Sequence, residues 1–296
     1  MTVDLDRAPR SLPIIARPQP DELLSSWLSR IATDYYIPPR QLLKHMGLAA
    51  PSVQRLDLTL TLAEAIVVAG FVRLEPKAIL AMTHAGIPAD CLRFVRLTRP
   101  LQVCRRCGTD HKRAEASGAV LKSWMQGWRI TCRARGSLLT DVWADADADS
   151  VRAQPFAEHL DAAREGQEMF EDHVINTASR QLSPATALRL LLLRRWPTPH
   201  EFILSPRRRF RLLNLVVPGF DRIADEYGLA ATPRKTIMLQ RAIRVAALAG
   251  VAGVVNKAEA LLPQLRAAAF PKISFDAPVA GDLCGAAKTF SNKLHT

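Results

Sequence analysis

Two cysteines stand two residues apart, Cys104 and Cys107, and a third follows at Cys132. Two thiolates at Cys-x2-Cys spacing can share one tetrahedral ion, and a structural zinc site wants four such ligands. A second half-site some 25 residues on should supply two more. Cys132 is one, but three residues later stands Arg135, whose guanidinium cannot bind a cation. His111, four residues after Cys107, is the remaining donor. If zinc is bound, Cys104, Cys107 and Cys132 are its expected ligands, with His111 as substitute fourth ligand or an open fourth position holding water. The alternative is a metal-free remnant held by packing around Trp124, Trp128, Leu138 and Leu139. Gly108 directly after Cys107 fits the tight turn that a Cys-x2-Cys pair needs.

Little else in the chain has the makings of chemistry. There is no G-x-S-x-G, no Walker loop and no G-x-G-x-x-G, so no acyl-transfer or phosphate-binding machinery is expected and the protein reads as a non-enzyme. "DADADS" (145–150) resembles the start of a calcium loop, but Ser150 stands where the turn glycine belongs and Phe156 where a bidentate Glu is needed. A solvated acidic connector is the better reading. His45, His84, His159, His173, His200 and His295 stand alone in sequence and default to surface or capping roles.

The elements that must position these residues are mostly helical. Residues 1–20 are proline-rich and read as an extended arm. In "DELLSSWLSRIATDYY", Asp21 is an N-cap candidate, and Leu23, Leu24, Trp27, Leu28 and Ile31 recur at helical spacing. Pro38 and Pro39 stop this helix and open a second, which Gly47 closes. The pair, 21–48, has the outline of a helix-turn-helix, with Arg40 and Lys44 as candidate nucleic-acid contacts on its second helix. Two further helices are expected near 60–70 and 75–83, then a zinc-finger-like segment over 100–140. An acidic connector and a polar helix (about 156–179) fill 141–180. A helical C-terminal unit, 181–296, holds a helix at 183–196 and a buried one around 245–255. A second helix-turn-helix outline covers 220–246: helix 220–227, a turn at Gly228, and a helix opened by Thr232 and Pro233. The fold class expected is mainly α, in two helical parts.

Charge is unevenly spread. The chain of 296 residues carries a net +12. Residues 1–139 hold 20 Lys/Arg against 11 Asp/Glu, residues 140–179 hold 2 against 10, and residues 180–296 hold 18 against 7. Two basic blocks flanking an acidic stretch point to a polyanionic partner, because each Lys or Arg near a phosphate releases condensed counterions. In the second block, Arg207, Arg208 and Arg209 surround the start of one helix, and Arg234, Lys235, Arg241 and Arg244 lie on the next. These seven are the candidate phosphate contacts of that block. Only five cysteines, one pair of them close, argue against a disulfide scaffold and for a reducing, cytoplasmic setting. The first residues, "MTVDLDRAPRSLP", lack the apolar core of a signal peptide, and "VAALAGVAGVV" is too short to span a bilayer, so no membrane association is expected.

From Leu12 to Leu139 the chain resembles the TniQ family. The family pattern "LPI-x-RP-x-P-x-E", running into "SSWL-x-R-x-A", is matched by "LPIIARPQPDELLSSWLSRIA" from Leu12 to Ala32. "PRQLLKHMGL" follows from Pro39 to Leu48, then Met82-Thr83, and then Cys104, Cys107, Trp124, Cys132, Gly136 and Leu139 in register. Two departures stand out: Arg135 replaces the family's ligand histidine, and a second cysteine pair is missing where "DVWADADADS" stands. The resemblance implies a non-catalytic target-selection protein of a heteromeric or CRISPR-associated transposon. Such a protein links target DNA, or a guide-RNA ribonucleoprotein complex, to a transposition ATPase. It also allows Trp27 and its surroundings to carry a partner or homodimer contact. From the residues alone, a helix-turn-helix transcriptional regulator and a protein-only adaptor remain alternatives.

Overall fold

The computed structural model describes residues 11–113, 116, 118–142, 156–176, 182–193, 210–226 and 241–256. Among these residues it is mainly helical, as expected, with one two-stranded sheet. No helix among them is long and apolar enough to cross a membrane.

The N-terminal part holds α1 (Leu24–Asp34), α2 (Pro39–His45), α3 (Val53–Thr59), α4 (Leu62–Val72) and α5 (Pro76–Ala81). The periodicity of the first stretch buries Leu24, Trp27, Leu28 and Ile31 against Leu42, Leu43, Leu56, Val68 and Ile79 in one core. The Trp27 indole is fully buried, and its Nε1–H donates to the Ala16 carbonyl at 2.6 Å. Asp21 is not the cap of α1. It lies at φ 63°, and the helix starts at Leu24 after an extended Leu23. Pro39 opens α2 at its first turn, where its missing N–H costs nothing. A reciprocal capping box of Thr61 and Glu64 starts α4, satisfying two otherwise orphaned N–H groups.

From residue 11 on, the described part of the arm is a strap, and its motif residues have identifiable work. Leu12 N–H donates to the Phe71 carbonyl at 2.9 Å, and the Tyr35 hydroxyl exchanges hydrogen bonds with the backbone of Ile14. Glu22, almost wholly buried, accepts from Arg30 Nε and NH2 at 2.9 Å, from Ser26 Oγ at 3.0 Å and from Gln19 N–H at 2.8 Å. A buried carboxylate survives only with such partners.

After α6 (Ala89–Leu92), strand β1 (Gln102–Val103) pairs antiparallel with β2 (Thr140–Asp141), Gln102 opposite Asp141. Helix α7 (Arg105–Arg113) leaves β1 directly. The segment between is docked on the arm: Leu23 N–H donates to Val120 O, Val120 N–H to Ser26 Oγ and Lys122 N–H to Asp21 O.

Helices α8 (Leu160–Ile175), α9 (Pro184–Leu191), α10 (Arg211–Val216), α11 (Phe220–Glu226) and α12 (Arg241–Asn256) form the second part. The apolar run at 245–255 is the buried middle of α12, as expected. It packs chiefly along α8, so closely that a Cβ on Gly166 would run into the Leu248 carbonyl oxygen. The larger core joins both parts: Leu23, Cys91, Trp128 and Ile130 pack with Phe170, Leu188 and Leu248. Trp128 stacks on Phe170 at 5.7 Å and 6°.

Candidate metal centre

Cys104, Cys107 and Cys132 come together. Their sulfurs lie within 4.8 Å of one another, and Cys107 Sγ is 3.6 Å from Cys132 Sγ. Zinc–sulfur bonds of ~2.3 Å at tetrahedral angles separate two sulfurs by ~3.8 Å, so this spacing suits a shared ion. Cys104 leaves β1, and Cys107 sits in the first turn of α7. Gly108 is therefore helical, not the turn that its sequence position suggests. The turn lies in the other half-site: Gly136, at φ 63°, donates its N–H to Cys132 O, and Cys132 N–H donates to Ser137 O, both at 2.8 Å. Leu121, Trp124 and Leu139 close the cluster from water.

The electrostatics are those of a site that wants a cation. Burial pushes the Cys107 thiol up to about 12, reinforced by the neighbouring sulfurs, and burial raises Cys132 as well. Burial opposes ionisation of Cys104 too, but hydrogen bonds from Ser137 and Cys107 outweigh it and bring this thiol below its ordinary value. Cys104 Sγ lies 3.5 Å from Ser137 Oγ. Burial thus disfavours the charged form at all three thiols, and hydrogen bonding offsets it only at Cys104.

His111 is not the fourth member. Its ring is buried beside Trp124, with centroids 6.1 Å apart, and it stays outside the thiol group. The α7 helix that carries Cys107 turns position 111 onto the Trp124 side, a consequence the sequence spacing conceals. At the other expected ligand position, Arg135 is exposed and pairs with Asp110 at 2.5 Å, within reach of the Cys107 sulfur. The donor set is thus three buried thiols close enough to share one metal ion.

The nucleic-acid candidates divide. Arg40 and Lys44, exposed on α2, line a cleft of about 660 Å³ with Pro38, Gln41, Leu48 and Pro51. Arg207, Arg208, Arg209, Arg234 and Lys235, with Gly228 and the expected helix from Pro233, lie outside the described residues. Arg244 is a correction: it is 0% exposed, and its NH2 donates to Asp141 Oδ1 at 2.5 Å. Arg241 also turns inward, its N–H donating to Asp141 Oδ2 and its guanidinium reaching Leu139 O at 3.3 Å. Asp141, read in sequence as the start of a solvated connector, is instead in β2 and anchors the start of α12 to the sheet.

Sequence reasoning missed a second group altogether. Asp90, Cys91 and His173 offer ligand atoms within 4.8 Å of one another, although 82 residues separate Cys91 from His173 in sequence. No pattern of spacing points to it, because α6 and α8 meet only in the folded chain.

Residues 13–139 match the family model described as TniQ. No curated protein and no solved structure matches the chain. The match covers the strap, the five N-terminal helices, the docked segment and all three clustered cysteines, and the TniQ family serves target selection in transposition. The resemblance carried by the arm and the cysteine register is therefore met by the family model: residues 13–139 are a TniQ domain.

Proposed function

We propose that this protein is a non-catalytic target-selection adaptor of a transposon, holding a polyanionic target on one face and recruiting the transposition ATPase with another. The observation that carries the reading is the TniQ match over residues 13–139, which takes in both the strapped helices and the cysteine segment. The net charge of +12 supports a nucleic acid or a ribonucleoprotein as the target. The exposed α2 face with Arg40 and Lys44 beside its cleft supports the N-terminal helix pair as one contact. Zinc, held by Cys104, Cys107 and Cys132, fixes the geometry of the docked segment in this reading and takes no part in bond breaking.

The test is a salt titration of duplex binding by the full chain. The slope of log affinity against log salt counts the neutralised phosphates, at about 0.9 per contact for B-form DNA. Arg40→Glu with Lys44→Glu should weaken binding and flatten that slope by about two. A wild-type slope near zero, on DNA and on guide-RNA complexes alike, refutes the nucleic-acid half of the reading. A steep slope unchanged in the double variant moves the contact to the second basic block.

A further inference from the structure

The junction between α6, α8 and α9 has the composition of a ligand shell. Cys91 is fully buried in α6, with Asp90 immediately before it. The His173 side chain, in the last turn of α8, is about nine-tenths covered, with an exposure of 10%. Neither of its ring nitrogens makes a hydrogen bond among the described residues, although both are shut off from solvent. Nε2 does lie 3.4 Å from Asp90 Oδ2, an ion-pair distance without hydrogen-bond geometry. A neutral imidazole always carries one donor and one acceptor; here Nδ1 has no partner and Nε2 has only the Asp90 carboxylate at ion-pair distance, and an unmet buried polar atom costs free energy that something must offset.

We propose that Asp90, Cys91 and His173 form a second metal site, distinct from the three-cysteine cluster, that takes a borderline-soft divalent ion of the zinc type. Carboxylate, thiolate and imidazole are three of zinc's ordinary donors. At metal–ligand distances of ~2.0–2.3 Å, tetrahedral ligand atoms stand ~3.4–3.8 Å apart, so the 3.4 Å between Nε2 and Oδ2 already suits a shared ion. Ser183 Oγ donates to the same Asp90 Oδ2 at 2.9 Å, and metal-bound carboxylates are commonly hydrogen-bonded in this way. Asp90 is partly exposed at 38%, which leaves an entry path and room for solvent as fourth ligand. On binding, the Cys91 S–H bond gives way to a sulfur–metal bond and its proton passes to solvent, so uptake weakens as the pH falls. The ion would staple α6, which precedes the cysteine segment, to the end of α8 and the start of α9, where Ser183 also caps the helix. It would thus clamp the TniQ domain to the helices that follow it.

The full chain, stripped of metal and dialysed against zinc(II), tests this by elemental analysis. A parallel cobalt(II) titration reads the sulfur-to-metal charge-transfer band. His173→Gln and Cys91→Ser should each bind one equivalent fewer than wild type and lose the part of the band owed to Cys91. Cys132→Ser reports the other site independently. If it loses an equivalent and His173→Gln loses none, the three-cysteine site stands and this proposal falls; the reverse result separates them the other way. Circular dichroism checks folding, and Asp90→Asn, at the half-exposed corner, covers the case in which the buried variants unfold. It should weaken zinc uptake at least tenfold. Equal stoichiometry in wild type and every folded variant overturns the proposal.

Discussion

His84 and Asp57 show how much a single buried group can matter without any part in the site. The His84 N–H donates to the Asp57 carbonyl at 2.6 Å, and both side chains are almost wholly buried. Burial pushes the His84 imidazole down to about 4, and burial pushes the Asp57 carboxyl up to about 6. The two act in opposite senses. The unfolded chain binds a proton at His84 before the folded one does, so this residue's contribution is complete above about pH 6.5 and is lost as pH falls towards 4. The folded chain holds the Asp57 proton longer, so its contribution is present below about pH 3.8 and is lost as pH rises through 6. In the wild type the windows overlap and largely cancel. Asp57→Asn should leave a stability that rises with pH by about 2–3 kcal/mol between 4 and 6.5, each tenfold change in proton affinity counting ~1.4 kcal/mol. Urea melts at a series of pH values measure it, and a flat profile in the variant contradicts the account. Trp27 is a second buried group outside the site. Its helical spacing already marks it as core, and truncation to Ala should cost about 3–5 kcal/mol in the same melts. An unchanged melt would remove it from the core. The thiols were equally legible, since Cys-x2-Cys and a single later cysteine announce a cluster. His111 was not, because it takes the structure to reveal that Cys107 lies in a helix and which way that helix turns its other residues.

Elements were legible where periodicity is long and breakers are sharp. The expected helices near 60–70, 75–83 and 183–196 are seen at Leu62–Val72, Pro76–Ala81 and Pro184–Leu191, the first displaced by two residues and the other two shorter than expected. Helix α6 was missed because "ADCL" is too short to show a period, and with it went the Asp90–Cys91 corner. Asp141 was misread because its neighbours are acidic: composition says connector, whereas its strand pairing and its two arginine partners are set by distant parts of the chain. Two predictions belong here. Gly166→Ala should separate α8 from α12, since the added Cβ and the Leu248 carbonyl oxygen cannot share one space; overpacking of this kind costs about 1–3 kcal/mol, read as a loss in thermal or urea stability. A neutral effect would mean that the two helices do not touch there. Asp141→Ala leaves the Arg244 guanidinium, wholly buried, without that carboxylate, and should cost about 3–5 kcal/mol, the ordinary penalty for breaking a buried pair. Arg244→Met combined with Asp141→Ala should recover part of that loss, and failure to recover any would show that the pair serves packing more than charge.

The whole molecule was legible in its class and its sense of charge. Mainly helical architecture follows from leucine- and alanine-rich periodicity, and the arm, helix and cysteine order carries the TniQ domain at 13–139. The shared core was not legible, because patterning tells which face of a helix is buried and not against what: Trp128 and Phe170 find each other across a boundary that charge alone would place near 140. Packing of this kind joins the matched segment and the following helices through one shared core. The central claim, target selection without catalysis, is tested most directly by mapping insertions in cells. The chain is expressed together with any transposase and ATPase that its neighbouring genes encode, and insertion sites are sequenced with and without it. The account predicts insertions concentrated at a defined target when the chain is present, and that concentration lost when it is deleted or when Arg40 and Lys44 are both reversed in charge. An insertion profile identical with and without the chain, or no transposition genes beside it, would contradict the account.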